Sequence, residues 1–199
     1  MKVSNMNTSL LIRPANLDDV PAINAIYSRH VLYGTATWEL TPPPDSEMRE
    51  RMQTILTQGY PYFVAESNGK VVGYTYASHY RPRLGYRFTV ENSIYVDNAY
   101  HRQGIARQLM SHLIEACTAQ GFRQMLAVIG DSENIASIEL HRSLGFVEVG
   151  LLANIGFKLN RWLDCVLLQR TLGEGNTTTP VGCSAGLTLS IPSAFLSGR

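Results

Sequence analysis

The stretch Thr89-Val90-Glu91-Asn92-Ser93-Ile94-Tyr95-Val96-Asp97-Asn98-Ala99-Tyr100-His101-Arg102-Gln103-Gly104-Ile105-Ala106-Arg107 decides the fold. Its first part alternates as a strand does. Phe88, Val90, Ile94 and Val96 share one face, and Thr89, Glu91, Ser93 and Tyr95 share the other. A short basic loop then opens an amphipathic helix, with Ile105, Leu109, Leu113, Ile114 and Cys117 at helical spacing and Gly121 as its end. Gly104 lets the backbone approach a ligand closely, while successive amides and the helix dipole face one point. With Arg102 and Arg107 this suits a pyrophosphate. On the loop alone, a plain strand-to-helix turn is an equal alternative.

Upstream, Leu10–Arg13 is a short strand stopped by Pro14, and Asn16 or Asp18 caps a helix through Val20, Ile23, Ile26, Tyr27 and Val31, ended by Gly34. Pro42-Pro43-Pro44 breaks the chain, and Asp45 caps a second helix carrying Met48, Met52, Ile55 and Leu56. Tyr62–Ala65 and Val71–Ala77 flank Asn68-Gly69, a strong hairpin signal. A loop broken by Pro82 and Gly85 leads into a long strand from about Tyr86 to Val96. Downstream, Gln124–Ile129 is a buried strand, and a helix runs from Ser132 or Asn134 to Leu144. Two strands near Phe146–Leu152 and Leu163–Leu172 close the fold. The order β-α-α-β-β-β-α-β-α-β-β predicts an α/β fold: a mixed sheet with helices on both faces.

The 199 residues, 45% of them hydrophobic, suffice for one domain with a sizeable core. We expect it over 10–172, with 1–9 as an extension and 173–199 as a tail outside the core. A net charge of +1 gives no basic field for nucleic acid or an anionic membrane. No run approaches the roughly 18–20 apolar residues of a membrane span, and residues 1–8 lack the apolar stretch of a secretory signal. Cys117, Cys165 and Cys183 form no C-x-x-C pair, which fits a reducing cytoplasm. The five histidines have no metal-ligand spacing, so no metal is expected.

A second signature follows in Asn134-Ile135-Ala136-Ser137-Ile138-Glu139-Leu140-His141-Arg142-Ser143-Leu144-Gly145-Phe146. Together with Arg102-Gln103-Gly104-Ile105-Ala106, it resembles the GCN5-related N-acetyltransferase (GNAT) superfamily. The superfamily's Q/R position, three before Gly104, is His101 here. Thr89–Asp97, His141 and the closing Gly156-Phe157-Lys158-Leu159-Asn160-Arg161-Trp162-Leu163-Asp164 resemble its phosphinothricin and methionine sulfoximine N-acetyltransferase branch, in order, over about residues 10–172.

The resemblance implies acetyl-CoA as co-substrate. Its pyrophosphate would lie on Arg102, Gln103, Gly104, Ile105, Ala106 and Arg107, its pantetheine arm on Asn134, and the acetyl carbonyl on the backbone of Ile94, Tyr95 and Val96. Asn134 is otherwise a helix cap. It further implies that the loop of Arg81, Arg83, Leu84, Gly85 and Tyr86 contacts a small amino-acid substrate, that Trp38 walls the pocket, and that a homodimer forms near the active site. Arg81 and Arg83 suit a carboxylate or phosphinate, although a solvated loop reads equally well; Trp38 is as easily a half-buried packing residue.

Only about 17 Å of extended chain separates Tyr86 from Glu91, so the loop is expected to fold back over the cleft. A mid-strand acid is costly if buried without a partner, so Glu91 is expected in a cleft as general base, against the plainer reading of a solvated strand residue. His141 stands where the superfamily usually has a tyrosine acid; it can pair with Glu91, shuttle a proton, or pack on the helix face. The competing functions are a protein or peptide N-acetyltransferase of the same fold and a non-catalytic acyl-CoA-binding module.

Overall fold

The computed structural model describes residues 10–180. Seven strands form one mixed sheet in the order β1-β2-β3-β4-β5-β7-β6. They are β1 (Leu10–Pro14), β2 (Tyr62–Ser67), β3 (Lys70–His79), β4 (Thr89–Val96), β5 (Gln124–Gly130), β6 (Val147–Lys158) and β7 (Arg161–Thr171). The helices are α1 (Val20–Tyr33), α2 (Asp45–Thr57), α3 (Ile105–Ala119) and α4 (Ile135–Ser143). Element order and sheet class follow the sequence expectation. Among the described residues, no helix is long and apolar enough to cross a membrane.

Alternation along the strands sends the two faces to different helices. Val20, Ile23, Tyr27 and Val31 of α1 and Met52 of α2 pack with Tyr62, Val64, Tyr74 and Tyr95 on one face. On the other, Met110, Leu113 and Cys117 of α3 pack with Val90, Met125, Ala127 and Leu168, while Ile105 and Leu109 meet Ala65, Val72 and Val96. At about 25 cal/mol per Å² of apolar surface removed from water, these two layers dominate the stability. The Asn68-Gly69 hairpin forms as expected, with both residues at positive φ (51° and 75°), the backbone of a tight two-residue turn.

Three boundaries differ from the sequence reading. β4 begins at Thr89 rather than Tyr86, because Leu84–Tyr86 close a single 3-10 turn through Arg87 N donating to Leu84 O at 3.1 Å. Pro44, not Asp45, caps α2; the Asp45 carboxylate instead accepts from Asn24 Nδ2 at 2.7 Å and ties α2 to α1. β6 continues to Lys158, and a tight turn at Leu159-Asn160 (φ 50° and 60°) returns it as β7.

Arg123 holds residues 173–180 against the domain, pairing with Glu174 at 3.2 Å and donating to Thr178 Oγ1 at 3.1 Å. The extension 1–9 and the rest of the tail, Cys183 included, lie outside the described residues.

Candidate active site

The site begins where the sheet opens. β4 pairs with β5 only from Thr89↔Gln124 to Asn92↔Ala127, whereas its pairing with β3 continues to Val96. Beyond Asn92 the two parallel strands part. A cavity of about 160 Å³ fills the gap, lined by Glu91–Tyr95, Ala127–Gly130, Asn134, Ser137 and His141, with Ala36, Thr37 and Trp38 across from them. It gathers Glu91, Ile94, Tyr95, Asn134, His141 and Trp38 of the expected site.

Glu91 is partly buried, and its carboxylate has no hydrogen-bond or ion-pair partner among the described residues. Burial alone raises its pKa above the usual carboxylate range. The Tyr76 phenol, itself raised chiefly by burial, and the Cys165 thiol both feel its charge.

His141 does not pair with Glu91. Its Nε2 lies 3.0 Å from Asn92 Oδ1, its Nδ1 lies 2.8 Å from Ser137 O, and Asn92 Nδ2 donates to Leu126 O at 2.8 Å. The ring is 2% exposed and packs edge-on to Phe146. Burial lowers the His141 pKa, against the Ser137 carbonyl, which raises it. Asn92 went unnoticed in the sequence. It stands among Phe88, Val90, Ile94 and Val96 on the inward face, where a polar residue demands a partner. That was the signal that could have found it.

Asn134 takes the helix-cap role, accepting from Ser137 N at 3.3 Å, and also borders the cavity. The 101–104 loop is exposed and enters α3 through Gly104 at φ 78°, with Arg102 also at positive φ. A Cβ on Gly104 would meet no protein atom within 4 Å, so the space over the helix N-terminus is open to an anion. Arg107 reaches back to Ser143 O at 3.4 Å, tying the start of α3 to the end of α4. Val96 contributes its carbonyl, which stands 3.2 Å from His30 Nε2 and 3.1 Å from His101 Nε2.

Trp38 lines the cavity opposite Glu91. Its ring lies against Gly156 of β6 so closely that a Cβ there would stand 2.1 Å from Cζ3. It also lines a second, apolar cavity of about 440 Å³ with Leu40, Val128, Leu152, Ile155, Phe157 and Cys165. The loop of Arg81, Arg83, Leu84, Gly85 and Tyr86 lines neither cavity, contrary to the expectation that it folds back over the cleft. Arg81 lies over the Tyr80 ring, Arg83 donates to Pro82 O, and Tyr80 packs edge-on to Tyr86, so the loop satisfies itself in solvent.

Among the described residues, no group of three or more His, Cys, Asp or Glu could hold a metal ion. Cys117 and Cys165 are buried free thiols.

A mixed sheet parted between β4 and β5, with an acid on one strand and a left-handed glycine opening the next helix, defines the class. Residues 23–146 match the model of the Acetyltransferase (GNAT) family, and the chain belongs to that family. Phosphinothricin N-acetyltransferase of Alcaligenes faecalis is 50% identical over 169 residues, 85% of this chain and 86% of that protein. L-methionine sulfoximine/L-methionine sulfone acetyltransferase of Pseudomonas aeruginosa is 42% identical over 165 residues, 82% of this chain and 95% of its own. The crystal structure of a phosphinothricin acetyltransferase from Sinorhizobium meliloti in complex with AcCoA superposes with a TM-score of 0.85. It is 48% identical, and the match covers 87% of this chain and 94% of that one.

Proposed function

We propose that this chain acetylates the α-amine of a small amino acid or analogue, of the phosphinothricin and methionine sulfoximine kind named for its relatives, using acetyl-CoA. The observation that carries this reading is Glu91: a partly buried carboxylate without a partner, in a cleft on the strand that leads into the open Gly104 loop. Binding alone needs no such acid.

Acetyl-CoA supplies an activated thioester. The residues around it must make the amine neutral, hold the carbonyl and manage the proton. An α-ammonium keeps its proton at pH 7, and a carboxylate with an ordinary pKa near ~4.3 is a weak base. Burial strengthens Glu91 in that role, directly or through one water. The backbone of β4 from Ile94 to Val96, without a β5 partner, faces the acetyl carbonyl. Arg102 to Arg107 hold the pyrophosphate and Asn134 the pantetheine arm.

A neutral His141 carries one ring proton but faces two acceptors, Asn92 Oδ1 and Ser137 O. Taking up a second proton would satisfy both, which suits a shuttle toward the departing thiolate. Burial pushes the Cys117 thiol up to about 12 and raises Cys165 as well, so neither of these two thiols is a ready nucleophile, which supports direct transfer.

The protein works as a cytoplasmic homodimer. β6 is an edge strand with Val147, Val149, Leu151, Ile155 and Phe157 each more than half exposed, an apolar strip that a second copy would cover. The partner's copy of the Arg81–Tyr86 loop would then complete the carboxylate site that one chain leaves open.

The test is coenzyme A thiol release with acetyl-CoA across amino acids, sulfoximines, their carboxyl amides, polyamines and peptides. Turnover of free amino acids over their amides is expected. Polyamine or peptide turnover without amino-acid turnover would overturn the reading.

A further inference from the structure

Lys158, the last residue of β6, is only 3% exposed, yet its ammonium has no carboxylate within ion-pairing distance among the described residues. Its Nζ donates to Thr37 O at 2.8 Å and to His30 O at 3.3 Å. Burying an unpaired ammonium is costly, and well-packed apolar residues commonly replace buried charges without loss of stability. Stability alone therefore does not account for this lysine.

Both acceptors flank one loop. His30 lies in the last turn of α1, and Thr37 immediately precedes Trp38. The loop has other ties. Thr37 Oγ1 bonds Tyr27 OH at 2.8 Å, Tyr95 OH donates to Ala36 O at 3.4 Å, and Arg51 of α2 pairs with Glu39. All of these reach the α1/α2 side of the molecule. Lys158 ties the loop to the opposite side, two residues from Gly156, on which the Trp38 ring rests.

We propose that Lys158 is a positioning residue: its ammonium clamps the Trp38 loop to the end of β6 and fixes the wall shared by the two cavities. This rests on the reading of the cleft as an amine-acetylating site. Without the clamp, Thr37 O loses a charged donor, and the loop's remaining ties named above run to the α1/α2 side, with only packing on Gly130 of β5 beside them. Trp38 then lifts from Gly156, and the amine loses its wall. Neither hydrogen bond of Lys158 reaches the Gly104 loop itself.

The experiment uses Trp162→Phe as background, which leaves Trp38 as the single tryptophan, since the chain has two. Lys158→Met is expected to shift Trp38 emission to the red and increase its quenching by acrylamide. The amine KM should rise at least about tenfold, while the acetyl-CoA KM stays within about twofold. Lys158→Gln keeps one neutral donor and should fall between; it decides the matter if Lys158→Met does not fold. Unchanged Trp38 emission together with an unchanged amine KM overturns the proposal, as does an equal rise in both KM values. If the background protein acetylates no amino acid, the functional reading fails, and the emission and quenching of Trp38 still decide whether Lys158 holds the loop.

Discussion

Gly156→Ala adds one methyl group to β6, at a position paired with Leu163 where the backbone accepts any residue. That methyl would stand 2.1 Å from Trp38 Cζ3, 2.5 Å from Cε3 and 2.8 Å from Cη2. Carbon atoms settle at about 3.5 Å or more, so the ring must retreat by roughly 1.4 Å. Overpacking of this kind costs about 1–3 kcal/mol, and a displacement of that size within a reacting site can cost about 10²-fold in rate.

Gly150→Ala is the control. It makes the same change on the same strand, but its methyl meets only Leu167 Cδ1, at 3.8 Å, an ordinary contact. In a thiol-release assay at saturating acetyl-CoA, Gly156→Ala is expected to lower kcat/KM for the amine by about 10–100-fold and Gly150→Ala to leave it near wild type. In a Trp38→Ala background the clash is gone, so Gly156→Ala should then cost nothing beyond Trp38→Ala alone. If Gly156→Ala and Gly150→Ala behaved alike, Trp38 would not be a wall of the amine site.

Saturating acetyl-CoA should raise the melting temperature of the wild type, by about 2.7 kcal/mol of stability at 100 times its dissociation constant. Gly104→Trp should abolish that shift by filling the open space over α3, and a retained shift would displace the pyrophosphate from this loop. Arg81→Ala or Arg83→Ala should raise the KM of amino acids far more than that of acetyl-CoA. Amidating the substrate carboxylate should cost the wild type the same factor but add little in the arginine variant. Equal turnover of acid and amide would remove the loop from carboxylate recognition.

Glu91 also has a stability signature. Its folded pKa is raised, so the folded chain binds more protons between the unfolded and folded values, and stability falls as pH rises through that window. Glu91→Gln should therefore melt higher than wild type at pH 7, with the gap closing below about pH 4, where both states are protonated. A lower melting temperature for the variant at pH 7 would contradict a desolvated, unpartnered carboxylate.

Much of this architecture was legible because punctuation and period agree along the chain. Asn68-Gly69 fixes a hairpin, Gly34, Gly121 and Gly145 end helices, and the alternation of β4 assigns Val90 and Tyr95 to opposite faces. Glu91 and Asn134 stood out because each is polar where the local pattern gives it a specific duty. The length of β6 did not show, since Gly150, Asn154 and Gly156 look like strand breakers until β7 pairs with them through irregular register. Asn92 and Lys158 escaped for a shared reason: their partners, His141 and the Thr37 carbonyl, are 49 and 121 residues away. The position of the Arg81–Tyr86 loop did not follow either. Span arithmetic bounds its reach from Glu91, whereas local bonds such as Arg87 N to Leu84 O set its direction.

The most direct test of the account is the pH profile of amine kcat/KM for Glu91→Gln beside the wild type, at saturating acetyl-CoA. The account predicts a deficit of about 10²–10⁴-fold at pH 7, with acetyl-CoA affinity unchanged. The deficit should shrink as the pH passes the amine's own pKa and free amine no longer needs a base. Wild-type turnover by Glu91→Gln at pH 7 would contradict it and return Glu91 to an ordinary strand residue.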